Sequence, residues 1–364
     1  MKILLLSDAN SIHTIKWVES LKANSFDVLL FSLFMPTEDI KEKYEHFNVK
    51  IITPDLKSKI NDLRKPNLSK LRYLKSIPML RKTIKTFNPN IMHAHYASSY
   101  GVLGMISMFH PFIVSVWGSD LYFFAEKNPF YQILFRAVIK RSDKVCSTSK
   151  AMIKILNEKY NQTEVNLIPF GIDTNKFKPK QNPKNFFTIG TIKSIEDHNG
   201  IDCLLDATKI LIYNYKIKIK VLIVGSGSMK KEMQQKAALL KIDRHVTFTG
   251  FIKHEKVIEY FNKLSIFIAV STRESFGVAV LEAGALGIPS ITSNVGGLTE
   301  VNSNNKTGFV INANSPTELA ENVLILYKNR ELRKEFGENA RQRVLENFNW
   351  NNNVKKMINL YNDC

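Results

Sequence analysis

Short apolar runs with the character of buried strands alternate with amphipathic helical segments along almost the whole chain. The runs are Lys2–Leu6, Phe26–Phe34, Ile91–His95, Phe112–Trp117, Asp143–Ser147, Phe186–Thr191, Val221–Val224, His245–Thr249 and Ser265–Val270. Strands that are buried on both faces of a parallel sheet are continuously apolar, and consecutive parallel strands need a crossover that is usually a helix. The sequence therefore predicts an α/β fold built from doubly wound parallel sheets.

The length of the chain and a restart of this pattern indicate two domains. With 364 residues, of which 44% are hydrophobic, the chain can bury two separate cores. The segment Leu167–Phe177 marks a boundary, and residues 178–184, which contain two prolines, are typical of a linker. We therefore expect an N-terminal domain of residues 1–176 and a C-terminal domain of residues 177–349.

The run Ser271–Pro289 carries the strongest local signals in the second domain. A buried strand precedes it, a polar loop opens it, and apolar residues with helical spacing begin near Phe276. Gly287 can take the left-handed conformation that ends a helix, and Pro289 prevents the helix from continuing. The run therefore predicts a strand, a short loop and a helix, followed at once by a further strand that ends at Ser293.

Two carboxylates bracket the start of this predicted helix. Glu274 lies in the loop and Glu282 about two turns inside the helix. Between them lie the amide groups of Phe276, Gly277 and Val278, which form an anion site at the helix N-terminus. Because a carboxylate accepts hydrogen bonds from hydroxyl groups, the pattern fits a diphosphate between two hydroxyl-rich groups, as in a nucleotide sugar. By spacing alone, a helix-dipole partner and a solvated acid explain the two carboxylates better.

The same run resembles the Glu-x7-Glu signature of the retaining glycosyltransferases of the GT-B fold, glycosyltransferase family four. The resemblance continues through Gly296–Glu300 and Lys306–Phe309. It implies two Rossmann-like domains that face each other across a cleft, with the terminal residues 350–364 returning to the first domain. It also implies transfer of a sugar from a nucleotide sugar to a polysaccharide or lipid-linked glycan, with retention at the anomeric carbon, in the synthesis of a cell-surface polysaccharide.

The resemblance assigns donor-binding roles in the C-terminal domain. Glu274 would hold the transferred sugar, Glu282 the ribose, and Lys193, together with the helix amides, the diphosphate. We therefore assign Glu274 and Lys193 to catalysis. The other predicted donor-binding residues are Ser275, Phe276, Gly277, Val278, Phe251 and Ile252.

Two further segments of this domain belong to the predicted donor site. Gly225, Ser226 and Gly227 follow a strand and precede a helix, so their backbone can approach the donor closely. Where many relatives carry a second basic residue, this chain has Asn199. Either His198 or a larger share for the helix amides would compensate.

Polar residues at strand ends predict an acceptor site in the N-terminal domain, because ligands of doubly wound sheets bind outside the carboxyl ends of the strands. These segments are similar to acceptor-domain motifs of bacterial polysaccharide glycosyltransferases, although many relatives have a His where this chain has Trp117–Asp120. His95 is assigned to catalysis, and His93 is expected to pack in the core. The predicted acceptor-binding residues are Asn10, Ser11, His13 and Asp120.

The net charge of +18 is unevenly distributed. The segment Leu56–Lys85 contains ten Lys or Arg residues and one acid, Asp62, and apolar residues recur at helical spacing from Leu68 to Phe87. Such a basic face attracts nucleic acid, an anionic membrane or an acidic substrate, and a sheet-covering helix with a solvated face explains it equally well. With the apolar stretch Val102–Val116 in the same domain, we expect peripheral binding to the inner face of the cytoplasmic membrane.

Composition and motifs also indicate the cellular setting and the cofactor requirement. Three widely spaced cysteines, no Asp-x-Asp motif and no histidine cluster predict a reducing, cytoplasmic setting and no metal site. The pattern at the start of the chain predicts a strand rather than a signal peptide. No apolar run is long enough to span a membrane. We expect no cofactor besides the donor substrate, a UDP- or GDP-sugar. The alternatives are a sugar-nucleotide epimerase or a phosphorylase of the same architecture and, without any recognition motif to support it, a non-enzymatic nucleic-acid binder.

Overall fold

The computed structural model describes residues 1–54, 73–179 and 186–364. The chain divides into two compact units, of which the first comprises Met1–Ile168 with Val354–Cys364 and the second Pro169–Asn353. The C-terminal residues thus group with the first unit, and the division falls inside the segment Leu167–Phe177. The predicted linker lies largely, and the basic segment partly, outside the described residues.

The first unit is built on a seven-stranded parallel sheet with the order β3-β2-β1-β4-β5-β6-β7. Its central strands are buried along almost their whole length, as their apolar composition predicts. The short strands β3 and β7 were not predicted, because three residues at a sheet edge carry no readable period. The strands are β1 Lys2–Leu6, β2 Asp27–Phe31, β3 Lys50–Ile52, β4 Ile91–His95, β5 Phe112–Val116, β6 Lys144–Ser147 and β7 Val165–Leu167.

Amphipathic helices cover both faces of this sheet and complete its core. Helix α3 has Pro78 at its second position, where a missing amide costs no hydrogen bond, and the left-handed Asn88 ends it. A single π-helical turn, Asp120–Phe124, follows β5. The helices are α1 Ile12–Ala23, α2 Glu38–His46, α3 Ile77–Phe87, α4 Ser99–Ser107, α5 Pro129–Arg141 and α6 Lys150–Tyr160.

The second unit is built on a six-stranded parallel sheet with the order β10-β9-β8-β11-β12-β13. Its strands are β8 Thr188–Ile192, β9 Lys220–Val224, β10 Val246–Gly250, β11 Ile266–Ala269, β12 Ser290–Ser293 and β13 Gly308–Ile311. Its helices are α7 Ile201–Tyr213, α8 Lys230–Leu239, α9 Val257–Phe261, α10 Val278–Ala285, α11 Leu298–Val301, α12 Pro316–Lys328 and α13 Arg330–Asn347. The last helix, α14 Trp350–Asn362, begins at the end of this unit, and its later turns belong to the first.

Both sheets follow the doubly wound strand order in which the chain first builds outward on one side and then returns to build on the other. The reversal lies between β1 and β4 in the first unit and between β8 and β11 in the second. Loops that leave the carboxyl ends of these two strands diverge to opposite faces of the sheet and leave a crevice there. The residues that follow β1, β4, β8 and β11 are therefore the candidates for ligand binding in this fold.

Helix α13 supports the short helix α10 through close backbone contact. A methyl group on Gly284 would lie 3.3 Å from the carbonyl oxygen of Ala340, and one on Gly337 would overlap the carbonyl oxygen of Gly287. Arg341 also donates hydrogen bonds to the carbonyl oxygens of Ala285, at the end of α10, and Phe177. The position of α10 thus depends on a glycine in the middle of its neighbour.

We predict that Gly337→Ala lowers the free energy of unfolding by about 1–3 kcal/mol, because the added methyl group overpacks the contact with Gly287. The sign of this change distinguishes overpacking from helix propensity, since alanine is favoured over glycine by about 1 kcal/mol in an unconstrained helix interior. Denaturant unfolding measures the change, with the exposed Glu335→Ala in the same helix as the control. Equal or higher stability of Gly337→Ala would contradict this packing.

Candidate functional site

Two charged side chains from distant parts of the sequence meet at the strand-order reversal of the second unit. Lys193 directly follows β8, and Glu274 lies in the loop after β11. The Nζ atom of Lys193 donates hydrogen bonds to Oε2 of Glu274 at 3.0 Å and to Oγ of Ser271 at 2.6 Å. The two charged side chains are 14% and 23% exposed, so the pair is reachable from solvent without being fully hydrated.

The N-terminus of α10 follows directly on this loop. Gly277, with a φ of 104°, turns the chain into the helix, and a methyl group there would lie 2.9 Å from Cδ2 of Leu298. The buried ring of Phe276 packs between Phe170 and Phe348, which fixes the direction of the loop. The first amide groups of the helix have no acceptor within the helix. Amide groups of the kind that can bind an anion therefore follow closely after Glu274 in the chain.

Glu282 is the fifth residue of α10. It lies about one turn inside the helix rather than two, because the loop continues through Gly277 before the helix begins. Its side chain is half-buried. Glu282 is therefore closer to the helix N-terminus than predicted. It remains on the helix that starts beside Glu274.

The loop after β8 also carries Asn199 and His198. The side-chain amide of Asn199 donates to the carbonyl oxygen of Ser194 at 2.8 Å and to its Oγ at 3.0 Å. Asn199 therefore closes the loop upon itself. The carbonyl oxygen of His198 accepts a hydrogen bond from the amide of Thr272 at 2.9 Å, which joins this loop to the one after β11.

His198 lies close to the ion pair. Burial lowers the pKa of its imidazole, and the positive charge of Lys193 lowers it further, while Glu274 acts in the opposite direction. The imidazole is therefore mostly neutral at pH 7, since its ordinary pKa is already about 6.5. A neutral imidazole can donate one hydrogen bond to a ligand but brings no net charge.

The glycines at 225 and 227 are required by the protein's own backbone. A methyl group on Gly225, which has a φ of 141°, would overlap the carbonyl oxygen of Lys193. One on Gly227 would overlap the carbonyl oxygen of Ile195, whose amide donates to the carbonyl oxygen of Ser226 at 3.1 Å. These residues thus hold the loop that carries Lys193, whatever else they contact.

Phe251 and Ile252 follow the edge strand β10, at the same end of the sheet as Lys193 and Glu274. Phe251 is 81% exposed and Ile252 is half-buried. An aromatic ring so accessible at a carboxyl-end edge is open to a planar ligand.

In the first unit, His95 ends β4 beside the strand-order reversal. Its Nδ1 atom lies 2.9 Å from Oγ of Ser7, which lies 2.7 Å from Oγ1 of Thr14. Its ring lies against Trp117 with a centroid distance of 4.1 Å. Burial, followed by the neighbouring His93 and His13, holds the pKa of His95 well below its ordinary value. His95 is therefore a neutral imidazole whose orientation is fixed.

His93 lies two residues earlier on β4 and is fully buried, as expected of a core residue. Its Nδ1 atom lies 2.7 Å from the hydroxyl of Tyr361 and its Nε2 atom 2.8 Å from Oγ of Ser115. Burial lowers its pKa to about 3. Tyr361 belongs to α14, so this histidine ties the C-terminal helix to the sheet of the first unit.

Asp120 and Asn10, two of the predicted acceptor-binding residues, have structural partners. Asp120 is fully buried, and its carboxylate accepts the amides of Ala97, Trp117, Gly118 and Leu121 at 2.8–3.2 Å. An acceptor would have to displace these amides, so Asp120 holds the loop instead of facing a ligand. The side chain of Asn10 bridges to the backbone of Met35 and Thr37.

Ser11 and His13 remain at the expected edge. Ser11 is the residue before α1, and its side chain makes no capping hydrogen bond with that helix. The His13 ring lies edge-on to Trp117 at a centroid distance of 5.8 Å. Both residues are half-buried beside His95 and its partners.

No role was assigned from the sequence to Ser271, Ser7 or Thr14. Ser271 contacts Lys193, Ser7 contacts His95, and Thr14 contacts Ser7. Ser7 and Ser271 each follow a strand at a reversal point, a position that could have identified them. Thr14 had no such signal, because it lies inside α1. Trp117 had the signal, since it directly follows β5 and belongs to the segment Trp117–Asp120 noted in the sequence.

The part of the chain that the structure describes contains no group of three or more His, Cys, Asp or Glu side chains placed to hold a metal ion. Over the same residues, the structure has no helix with the length and apolarity to cross a bilayer.

Two family models match the chain in succession. The model described as Glycosyl transferase 4-like matches residues 2–149, and the model described as Glycosyl transferases group 1 matches residues 172–343. The division between them coincides with that between the two sheets. Together they account for the first unit up to α6 and for nearly all of the second.

Individual relatives are also named glycosyltransferases. An uncharacterised glycosyltransferase of Methanocaldococcus jannaschii is 26% identical over 97% of this chain and 94% of its own length. A capsular polysaccharide biosynthesis glycosyltransferase of Staphylococcus aureus is 30% identical over 53% of this chain and 51% of its own. The structure of Anabaena HepE in complex with UDP and glucose superposes with a TM-score of 0.81 at 17% identity and covers 100% of both chains. The chain therefore belongs to the group 1, family four-like glycosyltransferases, and it is a glycosyltransferase with the GT-B fold.

Proposed function

We propose that the protein is a retaining glycosyltransferase that moves a sugar from a UDP- or GDP-sugar to a polysaccharide or lipid-linked glycan, working peripherally at the cytoplasmic face of a membrane. The observation that carries the proposal is the junction of Lys193 with Ser271 and Glu274 beside the N-terminus of α10. A cation and helix amides provide for a diphosphate, and a carboxylate provides for sugar hydroxyls.

In the proposed mechanism, these groups stabilise the diphosphate as it leaves. As the bond between the sugar and the diphosphate loosens, negative charge grows on the diphosphate oxygens. Lys193 and the amides of residues 276–278 stabilise that charge, and they are positioned before the reaction begins. Because Glu274 already holds Lys193 at 3.0 Å, the ammonium group does not have to be ordered when the donor binds.

The remaining donor contacts follow from position. Glu282 accepts the ribose hydroxyls, and the region of Phe251 and Ile252 holds the base. His198 donates a hydrogen bond from a neutral imidazole, so Lys193 and the helix amides supply the positive charge. Asn199 does not replace the missing basic residue, because its amide is engaged with Ser194.

For the acceptor, the proposed contacts are Ser11 and His13, with His95 as the imidazole that accepts a hydrogen bond from the acceptor hydroxyl and orients it. Burial holds the pKa of His95 well below its ordinary value, so the imidazole is neutral and suited to accept a hydrogen bond, while its protonation is disfavoured. The polysaccharide relative supports a glycan acceptor, and the basic face of the first unit supports presentation at a membrane.

A donor screen tests the reaction class. We expect slow release of UDP or GDP from one nucleotide sugar without acceptor, and faster release with the correct glycan acceptor. We also expect both rates to survive excess EDTA, because Lys193 and the helix amides occupy the place that a divalent cation takes in other transferases. Interconversion of the sugar without nucleotide release would identify an epimerase, and activity restored only by magnesium or manganese would contradict the metal-free mechanism.

We predict that Glu282→Ala weakens the binding of the free nucleoside diphosphate, since a hydrogen bond to a charged group contributes about 1.5–3 kcal/mol. That range corresponds to roughly a 10- to 150-fold rise in Kd. Isothermal titration calorimetry measures it, with the exposed Glu335→Ala as the control for loss of one negative charge. A folded Glu282→Ala with unchanged affinity would remove this residue from the donor site.

We predict that Glu274→Gln lowers the transfer rate at least 100-fold while the affinity for the nucleoside diphosphate is unchanged or tighter. The amide loses a charged contact to the transferred sugar, and removing a carboxylate beside Lys193 also removes repulsion of the diphosphate. Single-turnover kinetics and calorimetry on the same variant separate the two effects. Equal loss of transfer and nucleotide affinity would place Glu274 on the nucleotide instead of the sugar.

A further inference from the structure

Three neighbouring helices of the first unit contain no acid, and the outer two are basic. Helix α4 packs between α3 and α5. None of the three contains Asp or Glu, and α4 contains no charged residue at all. The cations of the outer two helices are Arg81, Lys82, Lys85, Arg136, Lys140 and Arg141. We refer to α3, α4 and α5 together as the helical layer.

Side-chain contacts join the cations across this layer. Arg81 of α3 donates a hydrogen bond to the carbonyl oxygen of Ile106 in α4 at 3.3 Å. The guanidinium of Arg141, at the end of α5, lies 2.8 Å from Sδ of Met108, directly after α4. The uncharged middle helix is therefore flanked by positive groups from both sides. The acids nearest to α5 in sequence, Glu126 and Asp143, lie outside the three helices and contact Lys159 and His110.

Large apolar side chains are exposed at the same place. Among the described residues, the first unit has seven exposed large hydrophobic side chains, and five of them lie in the helical layer or in a segment that directly adjoins it. These are Met79, Met108, Phe123, Phe130 and Ile133. Phe130 and Ile133 are 60% and 68% exposed and lie three residues apart, so they share one face of α5.

We infer that the helical layer docks on an anionic lipid bilayer, with Phe130 and Ile133 inserted between lipid headgroups and the cations of α3 and α5 against lipid phosphates. Exposed aromatic and aliphatic side chains beside a single-sign basic surface are the combination that binds the membrane interface. Complementarity of charge selects anionic lipid, because no acid in the three helices opposes it. Cations alone would be expected of a surface that only steers soluble anions.

This inference rests on the proposed function in one respect, namely that the acceptor is presented at a membrane. The docking surface is therefore different from the basic segment Leu56–Lys85 considered in the sequence. Only the end of that segment, α3, takes part. The inserted side chains belong to α5, which was not predicted to bind a membrane.

Vesicle sedimentation of the full chain without donor or acceptor tests the docking. We expect binding to vesicles of phosphatidylcholine with 30% phosphatidylglycerol and little binding to pure phosphatidylcholine. Phe130→Gln with Ile133→Gln should weaken binding at least tenfold, and most clearly at high salt, where the ionic part is screened. The control, Leu239→Gln with Ile325→Gln, makes the same chemical change at exposed positions of the second unit and should bind like the parent.

Charge is tested in the same way. Arg81→Gln, Lys82→Gln and Lys85→Gln together should weaken binding at low salt at least tenfold. Lys218→Gln, Lys231→Gln and Lys328→Gln lower the net charge equally, at exposed positions outside the layer, and should have little effect. Equal losses from the two triple variants would mean that overall charge, not the helical layer, attracts the bilayer, and would overturn the proposal.

A fluorescence measurement reports insertion directly. The native tryptophans, Trp17, Trp117 and Trp350, are 3–7% exposed, so Phe130→Trp adds one accessible indole. We expect its emission to shift to shorter wavelength on anionic vesicles and to be quenched by brominated lipid, whereas Leu239→Trp should show neither change. No shift at position 130, or a dimer in solution that Phe130→Gln dissociates, would overturn the proposal in favour of a solvated face or a second copy of the chain.

Measuring nucleoside diphosphate affinity on the same variants separates the two hypotheses. A chain that binds vesicles but no nucleotide would refute the proposed function and leave the docking intact. A chain that binds nucleotide and transfers sugar but ignores anionic vesicles would refute the docking alone. Preserved nucleotide affinity also shows that each variant is folded.

Discussion

The contact of Lys193 with Glu274 and Ser271 is the interaction around which the second unit is arranged. A partly buried ion pair adds little net stability, because desolvation offsets much of the attraction. Yet several features of the unit hold the two loops in place. Gly225 and Gly227 allow the loop after β8 to pack, Asn199 closes it, and the amide of Thr272 ties it to the loop after β11.

The first unit repeats the architecture with a different chemical content. Its reversal point is lined by a neutral imidazole, hydroxyl groups and an indole, where the second unit has an ammonium group and a carboxylate. One sheet topology thus provides two sites of opposite character, since the loops after the strands, and not the sheet, set the chemistry. In the proposed function, the second site binds the diphosphate and the first orients the acceptor hydroxyl.

Several residues that look functional in sequence serve the fold. Asp120 satisfies four loop amides, His93 anchors Tyr361, and the glycines after β9 accommodate the backbone of Lys193. Buried polar groups need partners, so a polar residue at a strand end is held either by the protein or by a ligand. Sequence cannot tell these cases apart, because the partners come from other loops.

The sequence by itself determined the α/β class, ten of the thirteen strands among the described residues, the loop and helix around Glu274, and the family, because strand burial, helical period and a contiguous motif are local properties. It could not locate the short edge strands β3, β7 and β13 or place Glu282 one turn into its helix, since these depend on pairing partners and on where a loop ends. Only the tertiary structure decided that Lys193 meets Ser271 and that Asp120 is occupied by amides. Only the tertiary structure likewise placed α5, with its exposed Phe130 and Ile133, beside the cations of α3. The physical reason is the same throughout: such contacts join residues far apart in sequence, and they exist only once the parallel strands have brought their ends together.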